Sequence, residues 1–187
     1  MRPEARCLEL VHRLDRKTSG VLLVAKKRSA LRTLHSMLRE HSMDKRYQVA
    51  VAGRFRNEKQ RVRPALAKRV TKEDDKRVAV SEEGQEAETL FTRLDRGERF
   101  SLLEAQLLTG RTHQIRVHLA HLGHPVLGDD KYGDFELNRE LRKLGLRRMF
   151  LHAASLAFTH PATGEALVVQ APLPKELAAF RERHVHA

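Results

Sequence analysis

Between Ser101 and Leu122 the chain changes its hydrophobic period, and nothing else in it restricts the fold so strongly. Over Ser101 to Leu108, Leu103, Ala105 and Leu107 alternate with Glu104 and Gln106, the period of a half-buried strand. From Thr112 the apolar residues Ile115, Leu119 and Leu122 instead share one face of a helix, and Gly123 follows as a left-handed stop. A strand that runs into a helix this quickly must bury one face of each against a common core. His113, Arg116 and Ala120 fall on a different helical face, so the apolar side can anchor the helix while Arg116 points elsewhere.

The rest of the chain adds mostly strands. Tyr47, Val49 and Val51 alternate with Gln48 and Ala50 up to Gly53, and Ala87 to Leu94 has strand composition. Phe150 to Phe158, the PATG turn and Ala166 to Ala171 form a strand, turn and strand, before a short helix opened by Pro174. Val21 to Ala25 predicts a buried strand after Gly20. Ser29 is expected to cap a helix from Ala30 to His41, with Leu31, Leu34 and Leu38 inward. Arg54 to Arg77, ending in KRVTKEDDKR, has dense mixed charge and little periodicity, and predicts an exposed hairpin or loop, solvated or touching phosphate. The expected fold class is α+β: a mixed, mainly antiparallel sheet with flanking helices. With 187 residues, no repeat and no linker, residues 1–187 are expected to form one domain.

Charge narrows the partner. Lys and Arg number 36 against 24 Asp and Glu, a net +12 and a sequence pI near 10.4, which calls for a polyanion such as RNA, DNA or an anionic membrane. Val21 to Ala25 is the longest apolar run, far too short to cross a bilayer, and the N-terminus has no signal pattern. A single cysteine, Cys7, excludes an intrachain disulfide and a cysteine-rich zinc site, suits a reducing cytosol, and is expected to be a small buried hydrophobe. His118, His121 and His124, with His113 before them, have no cysteine nearby and a helix stop between the last two, so no metal is expected. Asp129 and Asp130 raise a paired-carboxylate glycosidase with Asp15, but GDDKYGD is expected to be an exposed turn.

The other dense motif is HRLDRKTSG, with Asp15 between Arg13 and Arg16 and before a Thr-Ser-Gly turn. Arg116, though far away in sequence, offers a guanidinium geometrically suited to that carboxylate. The bland reading of Asp15 is an ordinary exposed salt bridge worth about 0 to 1 kcal/mol. Taken in order, HRLDRKTSG, the DKRYQVAVAG strand, TGRTHQIRVHLAHLGHPVLGDDKYGD and LHAASLAFTHPATGE resemble the RluA-type pseudouridine synthases over nearly the whole chain. The resemblance is nearest to the RluC-like subgroup that modifies large-subunit (23S) ribosomal RNA.

That resemblance implies a pseudouridine synthase catalytic fold acting on RNA with no metal and no organic cofactor. Uridine is isomerised: the C1′–N1 bond breaks, the uracil turns, and C5 joins C1′. Asp15 corresponds to the family's catalytic aspartate, Tyr47 to its active-site tyrosine and Arg116 to the arginine that pairs with the aspartate. Arg13 corresponds to the residue that takes the place of the flipped base, and Arg111 and His113 are expected to contact substrate or to shape the helix start. A nucleophile at C1′, or a base at C2′, must be ionised and oriented, and orientation is the larger service an arginine gives. Members carry a strand-rich segment with a KPxG-type motif upstream of HRLD, and many an S4 domain before that. This chain starts about a dozen residues before Asp15 without either, so a fold incomplete at its N-terminus is expected. A cytoplasmic enzyme, monomeric when full length, is the main expectation, and an impaired fragment that only binds RNA is the alternative.

Overall fold

The computed structural model describes residues 8–70 and 76–186. Cys7 and the middle of the KRVTKEDDKR run lie outside the described residues. In chain order the elements are β1 (Glu9–Leu10), β2 (Ser19–Gly20), β3 (Val24–Ala25), α1 (Arg28–Arg39) and β4 (Asp44–Ala52). Then come β5 (Lys59–Val62), β6 (Leu66–Val70), β7 (Lys76–Val80), β8 (Thr89–Arg96), β9 (Phe100–Leu107) and α2 (Gln114–His121). The chain continues through α3 (Phe135–Lys143), β10 (Leu151–Thr159), β11 (Ala166–Gln170) and α4 (Lys175–His184). The main sheet has the order β11-β10-β4-β9-β8-β5, antiparallel at every step, and β2 adds a short parallel pairing to β10. This is the expected α+β class.

Alternation along β4 assigns the two faces of the sheet. Val49 and Val51 join Leu103 and Ala105 of β9, Phe91 of β8, and Ile115 and Leu119 of α2 in one buried cluster. On the other face Ala50, Phe100 and Leu102 pack beneath α3 and α4 through Leu141, Leu177 and Phe180. A register shift between Ala153 and Ser155 of β10 brings Leu156 opposite Lys45, on the α2 side of the sheet. There Leu156 and Phe158 receive Leu31 and Leu34 of α1. Two helices therefore cover the two ends of one face, and between them the floor is left to Lys45, Tyr47, Leu107 and Leu151.

Three expectations change, and one helix is new. The apolar run from Val21 is divided between two sheets: Gly20 and Val21 attach to Ala153 of β10, whereas Val24 and Ala25 pair with β1, leaving Leu22 and Val24 more than 40% exposed. Helix α1 starts two residues early, with Lys27 as its extended N-cap, because the Lys27 carbonyl takes the first helical bond from Leu31 N; Ser29 lies inside the helix. In the Arg54–Arg77 stretch the described residues bear out the hairpin alternative over the loop, but not its full exposure. β5 extends the main sheet, and β6 and β7 form a hairpin whose Leu66 and Val78 are buried against Val117. Single apolar residues between Lys and Arg anchor these strands, which is why the charge run hid them. Finally, α3 follows GDDKYGD directly, capped by Asp134, whose side chain accepts from Leu137 N. No helix among the described residues is long and apolar enough to cross a membrane.

Candidate active site

HRLDRKTSG enters the sheet through a tight turn. Thr18 N donates to Asp15 O at 2.9 Å with Lys17 left-handed (φ 70°), the geometry of a type II turn without the usual glycine. Such a non-glycine residue costs about 1–3 kcal/mol and persists only where its surroundings over-determine it. They do so here: Arg148 Nη2 donates to Lys17 O at 2.8 Å, and Lys17 Nζ meets the Asp130 carboxylate. Gly20 then closes against β10 with φ 117°, where an added Cβ would come 2.1 Å from Ala153 O. The Ser19 hydroxyl lies 2.9 Å from His152 Nδ1. Asp15 is thereby held at the mouth of the gap between α1 and α2.

The second motif is locked from within by Gln114, buried to 2% exposure. Its Oε1 accepts from Thr109 Oγ1 at 2.7 Å and Arg111 N at 3.0 Å, while its Nε2 donates to Glu88 O and Thr89 Oγ1. His113, left-handed at φ 55°, is the N-cap that turns the chain into α2. The helix then delivers Arg116 to the interior, and its guanidinium is shared by two carboxylates. Nε and Nη2 grip Asp129 at 2.7 and 2.8 Å, and Nη1 donates to Asp15 Oδ2 at 3.2 Å. The Tyr132 ring faces the guanidinium carbon at 4.9 Å.

Asp129 corrects the reading of GDDKYGD as an exposed turn: its side chain is wholly buried. Lys131 N and Tyr132 N also donate to Oδ1, and Asn138 of α3 donates to its carbonyl. Burial alone would raise this carboxyl, but the Arg116 hydrogen bonds and charge, with the backbone donors, hold it below the usual aspartate range. Burial likewise opposes the charge on Arg116, and Asp129 and then Asp15 more than offset it. Gln114, Asp129 and Tyr132 are site residues the sequence reading missed. The available signal was their place within the two long motifs, since a pattern of burial alone singles out none of them.

Asp15, Gln114 and Arg116, with Asp129 and Tyr132 behind them, belong to a cleft of about 540 Å³ that the first three line, within the range of small-molecule sites. Its floor includes Tyr47, whose phenol is pushed up to about 12 by burial and then by the nearby Asp15 charge. Arg13 is exposed and reaches across the mouth, Nη2 donating to Thr112 Oγ1 at 3.2 Å. Arg111 lines the rim with Nε donating to Glu86 O, and His113 is bonded to Tyr132 Oη through Nδ1 at 2.8 Å. Burial lowers the His113 pKa, and the Asp15 charge works against that lowering. All six expected site residues, Arg13, Asp15, Tyr47, Arg111, His113 and Arg116, therefore line one cleft. Among the described carboxylate residues, Asp15 alone lines it, against Arg13, Arg39, Lys45, Arg111 and Arg116.

Two of the other three histidines of that motif are spent individually. His118 lies between Thr89 Oγ1 and Pro64 O, fully buried, and His124 meets Ala52 O. Asp130, the second carboxylate of the glycosidase idea, is exposed and tied to Lys17 and Arg142, away from the cleft lining.

The same geometry has relatives. A family model described as RNA pseudouridylate synthase matches residues 2–121. Ribosomal large subunit pseudouridine synthase C of Yersinia pestis is 52% identical over 177 residues, covering 95% of this chain and 55% of that protein. The protein of the same name from Escherichia coli K12 is 51% identical over 179 residues, covering 95% and 56%. The chain thus spans about half the length of the curated relatives it matches. Among solved structures, Human RNA Pseudouridylate Synthase Domain Containing 1 superposes with a TM-score of 0.80 at 30% identity, covering 92% of this chain and 73% of that one. Human RNA Pseudouridylate Synthase Domain Containing 4 gives 0.78 at 27%, covering 96% and 77%. The chain belongs to the RNA pseudouridylate synthase family.

Proposed function

We propose that this chain forms one catalytic domain that isomerises uridine to pseudouridine in RNA, large-subunit ribosomal RNA being the substrate named for its similar relatives. The observation that carries the reading is Asp15, the lone cleft carboxylate among the described residues, held by one N–H of an arginine that Asp129 has already fixed. A nucleotide extruded from its stack enters the cleft with uracil over Tyr47, whose ring repays part of the few kcal/mol that unstacking costs. Asp15 then acts at the sugar, as nucleophile at C1′ or as base at C2′. The C1′–N1 bond breaks, the uracil turns within the cleft, and C5 bonds to C1′. The hydrogen on C5 leaves as a proton and N1 ends protonated, so the product is an isomer and no co-reactant is consumed. Arg13, at the open mouth, enters the place the base has left. Arg111 and His113 bind the strand at the rim.

The reading includes action in the cytoplasm, where ribosomal RNA is made in bacteria, and a monomer as the working unit of the full-length protein. Its test is to incubate the chain, and its Asp15→Asn variant, with unmodified large-subunit RNA and to map pseudouridine by chemical modification and primer extension. Turnover is expected for the wild type and none for the variant, with RNA binding kept by both, since Asn retains shape and removes the charge. Turnover by Asp15→Asn, after excluding deamidation to Asp, overturns the assignment. A wild type that binds RNA and makes no pseudouridine supports the other reading, a binding fragment.

A further inference from the structure

Lys45 has no role in the reaction as described, yet it stands in the cleft. It precedes Tyr47 by two residues on β4, so both side chains leave the same face of the sheet, and both line the cavity with Asp15. Its Nζ lies against the backbone of the TGRTH turn, 3.3 Å from where a Cβ on Gly110 would be. The cross-strand neighbours of Lys45 are Leu107 and Leu156, both apolar. No carboxylate among the described residues comes within ion-pair distance of it, whereas Arg46, next in sequence but on the other face, binds both Asp44 and Glu104. Burial lowers its pKa below the ordinary lysine range. A partly desolvated ammonium without a counter-ion is unfavourable in the empty cleft and becomes favourable when an anion arrives.

We propose that Lys45 binds a phosphate flanking the extruded uridine, so that its ammonium and the Asp15 carboxylate hold one nucleotide from its two chemically different parts. The proposal rests on the cleft being where RNA enters. Phosphate is the fitting anion because the strand carries one on each side of every nucleotide, and because the only carboxylate in the lining among the described residues is already engaged by Arg116. Gly110 serves the same end: it has no side chain to fill the space beside Nζ. A substrate phosphate then displaces only water, and Lys45 supplies a point charge with three donors rather than a fixed fork.

The probe is the trinucleotide ApUpA, with either phosphate replaced in turn by a neutral methylphosphonate. Binding to the wild-type chain and to Lys45→Met is followed by chemical-shift titration, and the melting temperature of each protein is recorded. With wild type, one of the two replacements should weaken binding about tenfold or more, the scale of a charge-assisted hydrogen bond. In Lys45→Met the natural trinucleotide should already bind that much more weakly, and the same replacement should cost almost nothing further. A wild type indifferent to both replacements overturns the site, as does a variant that still loses the full factor. If Lys45→Met melts too early to titrate, Lys45→Gln carries the same comparison. Pseudouridine formation is followed separately. Phosphate coupling without turnover refutes the reaction and keeps the site; turnover without coupling refutes the site alone.

Discussion

Replacing Asp129 by Asn should damage this protein far more than the same change at its neighbour Asp130. The Asp129 side chain is wholly buried and receives two bonds from Arg116 and two from backbone N–H groups. Removing one partner of a buried ion pair leaves the other charge stranded, at a cost of about 3–5 kcal/mol. Asn keeps the shape and one acceptor oxygen, but its amide group faces the Arg116 N–H donors, so the lower end, roughly 3 kcal/mol, is expected. For a chain of this length each kcal/mol moves the melting temperature by about 2–4 °C, giving a fall of roughly 6–12 °C. Asp130 is half exposed, and its contacts to Lys17 and Arg142 are of the kind worth about 0–1 kcal/mol. Melting curves of the wild type, Asp129→Asn and Asp130→Asn at neutral pH compare the two directly.

Acid supplies a second reading of the same group. The folded protein holds the Asp129 carboxyl below its usual range. Its stabilisation is therefore complete above the unfolded value of about 3.9 and is lost as pH falls through the lower folded value. Asp129→Asn has no such proton to take up. The gap between the two melting curves should stay open from neutral pH down to about pH 4 and narrow only below it. Asp129→Asn melting within about 2 °C of Asp130→Asn at neutral pH would refute the reasoning, because the whole magnitude comes from burial and pairing.

Three shorter predictions accompany it. Gly20→Ala should lower the melting temperature by more than about 5 °C, because the new methyl would overlap Ala153 O at a left-handed backbone position; an unchanged melt would count against the close approach. Arg116→Lys should cut kcat roughly a hundredfold with little change in KM, since one ammonium cannot keep the Asp129 fork and still orient Asp15; steady-state rates on RNA check this. RNA affinity of the wild type should fall steeply as salt rises, with a log–log slope reporting the phosphates neutralised, and a flat salt titration would contradict a cleft that five of the described Lys and Arg residues line.

Where apolar residues repeat with a clean period, the fold was legible in the sequence. β4, β9 and α2 fall where alternation and the i, i+4 stripe put them, since each has a buried face of several residues. The elements left undecided or unread share a cause. β5, β6 and β7 each carry a single buried anchor among basic residues, and α3 buries Leu141 and Asn138 under a strongly charged surface, so mean composition outweighed pattern. The Val21 run failed differently: a two-residue pairing on each of two sheets leaves no period to detect.

At the site, the residue types that face the cleft were legible and those behind them were not. Asp15, Tyr47 and Arg116 belong to motifs whose order implied their meeting, and they line one cleft. Nothing in spacing alone says that a guanidinium will turn its fork to Asp129, because that choice depends on α3, whose Asn138 fixes the Asp129 carbonyl and bonds Gly128 N. The glycosidase idea failed on the same fact: one of its aspartates is the arginine's buried counter-ion and the other is on the surface.

The division of Arg116 between two carboxylates resolves a conflict in what the site needs. A nucleophile gripped by a bidentate arginine would be well oriented and poorly reactive, because both lone-pair directions would be occupied and its charge neutralised. An aspartate left to solvent would be reactive and unaligned. Here the strong, two-point grip falls on Asp129, which lies behind the cleft lining and is sealed from water. Asp15 receives one longer bond from the remaining Nη1 and stays about a fifth exposed. The arginine is thus rigid because of Asp129, and Asp15 borrows that rigidity through a single contact to Oδ2, as the proposed attack on the sugar requires. Energy spent on burying an ion pair is repaid in geometry at the neighbouring carboxylate, which is the place where about 1 Å of misplacement would cost most.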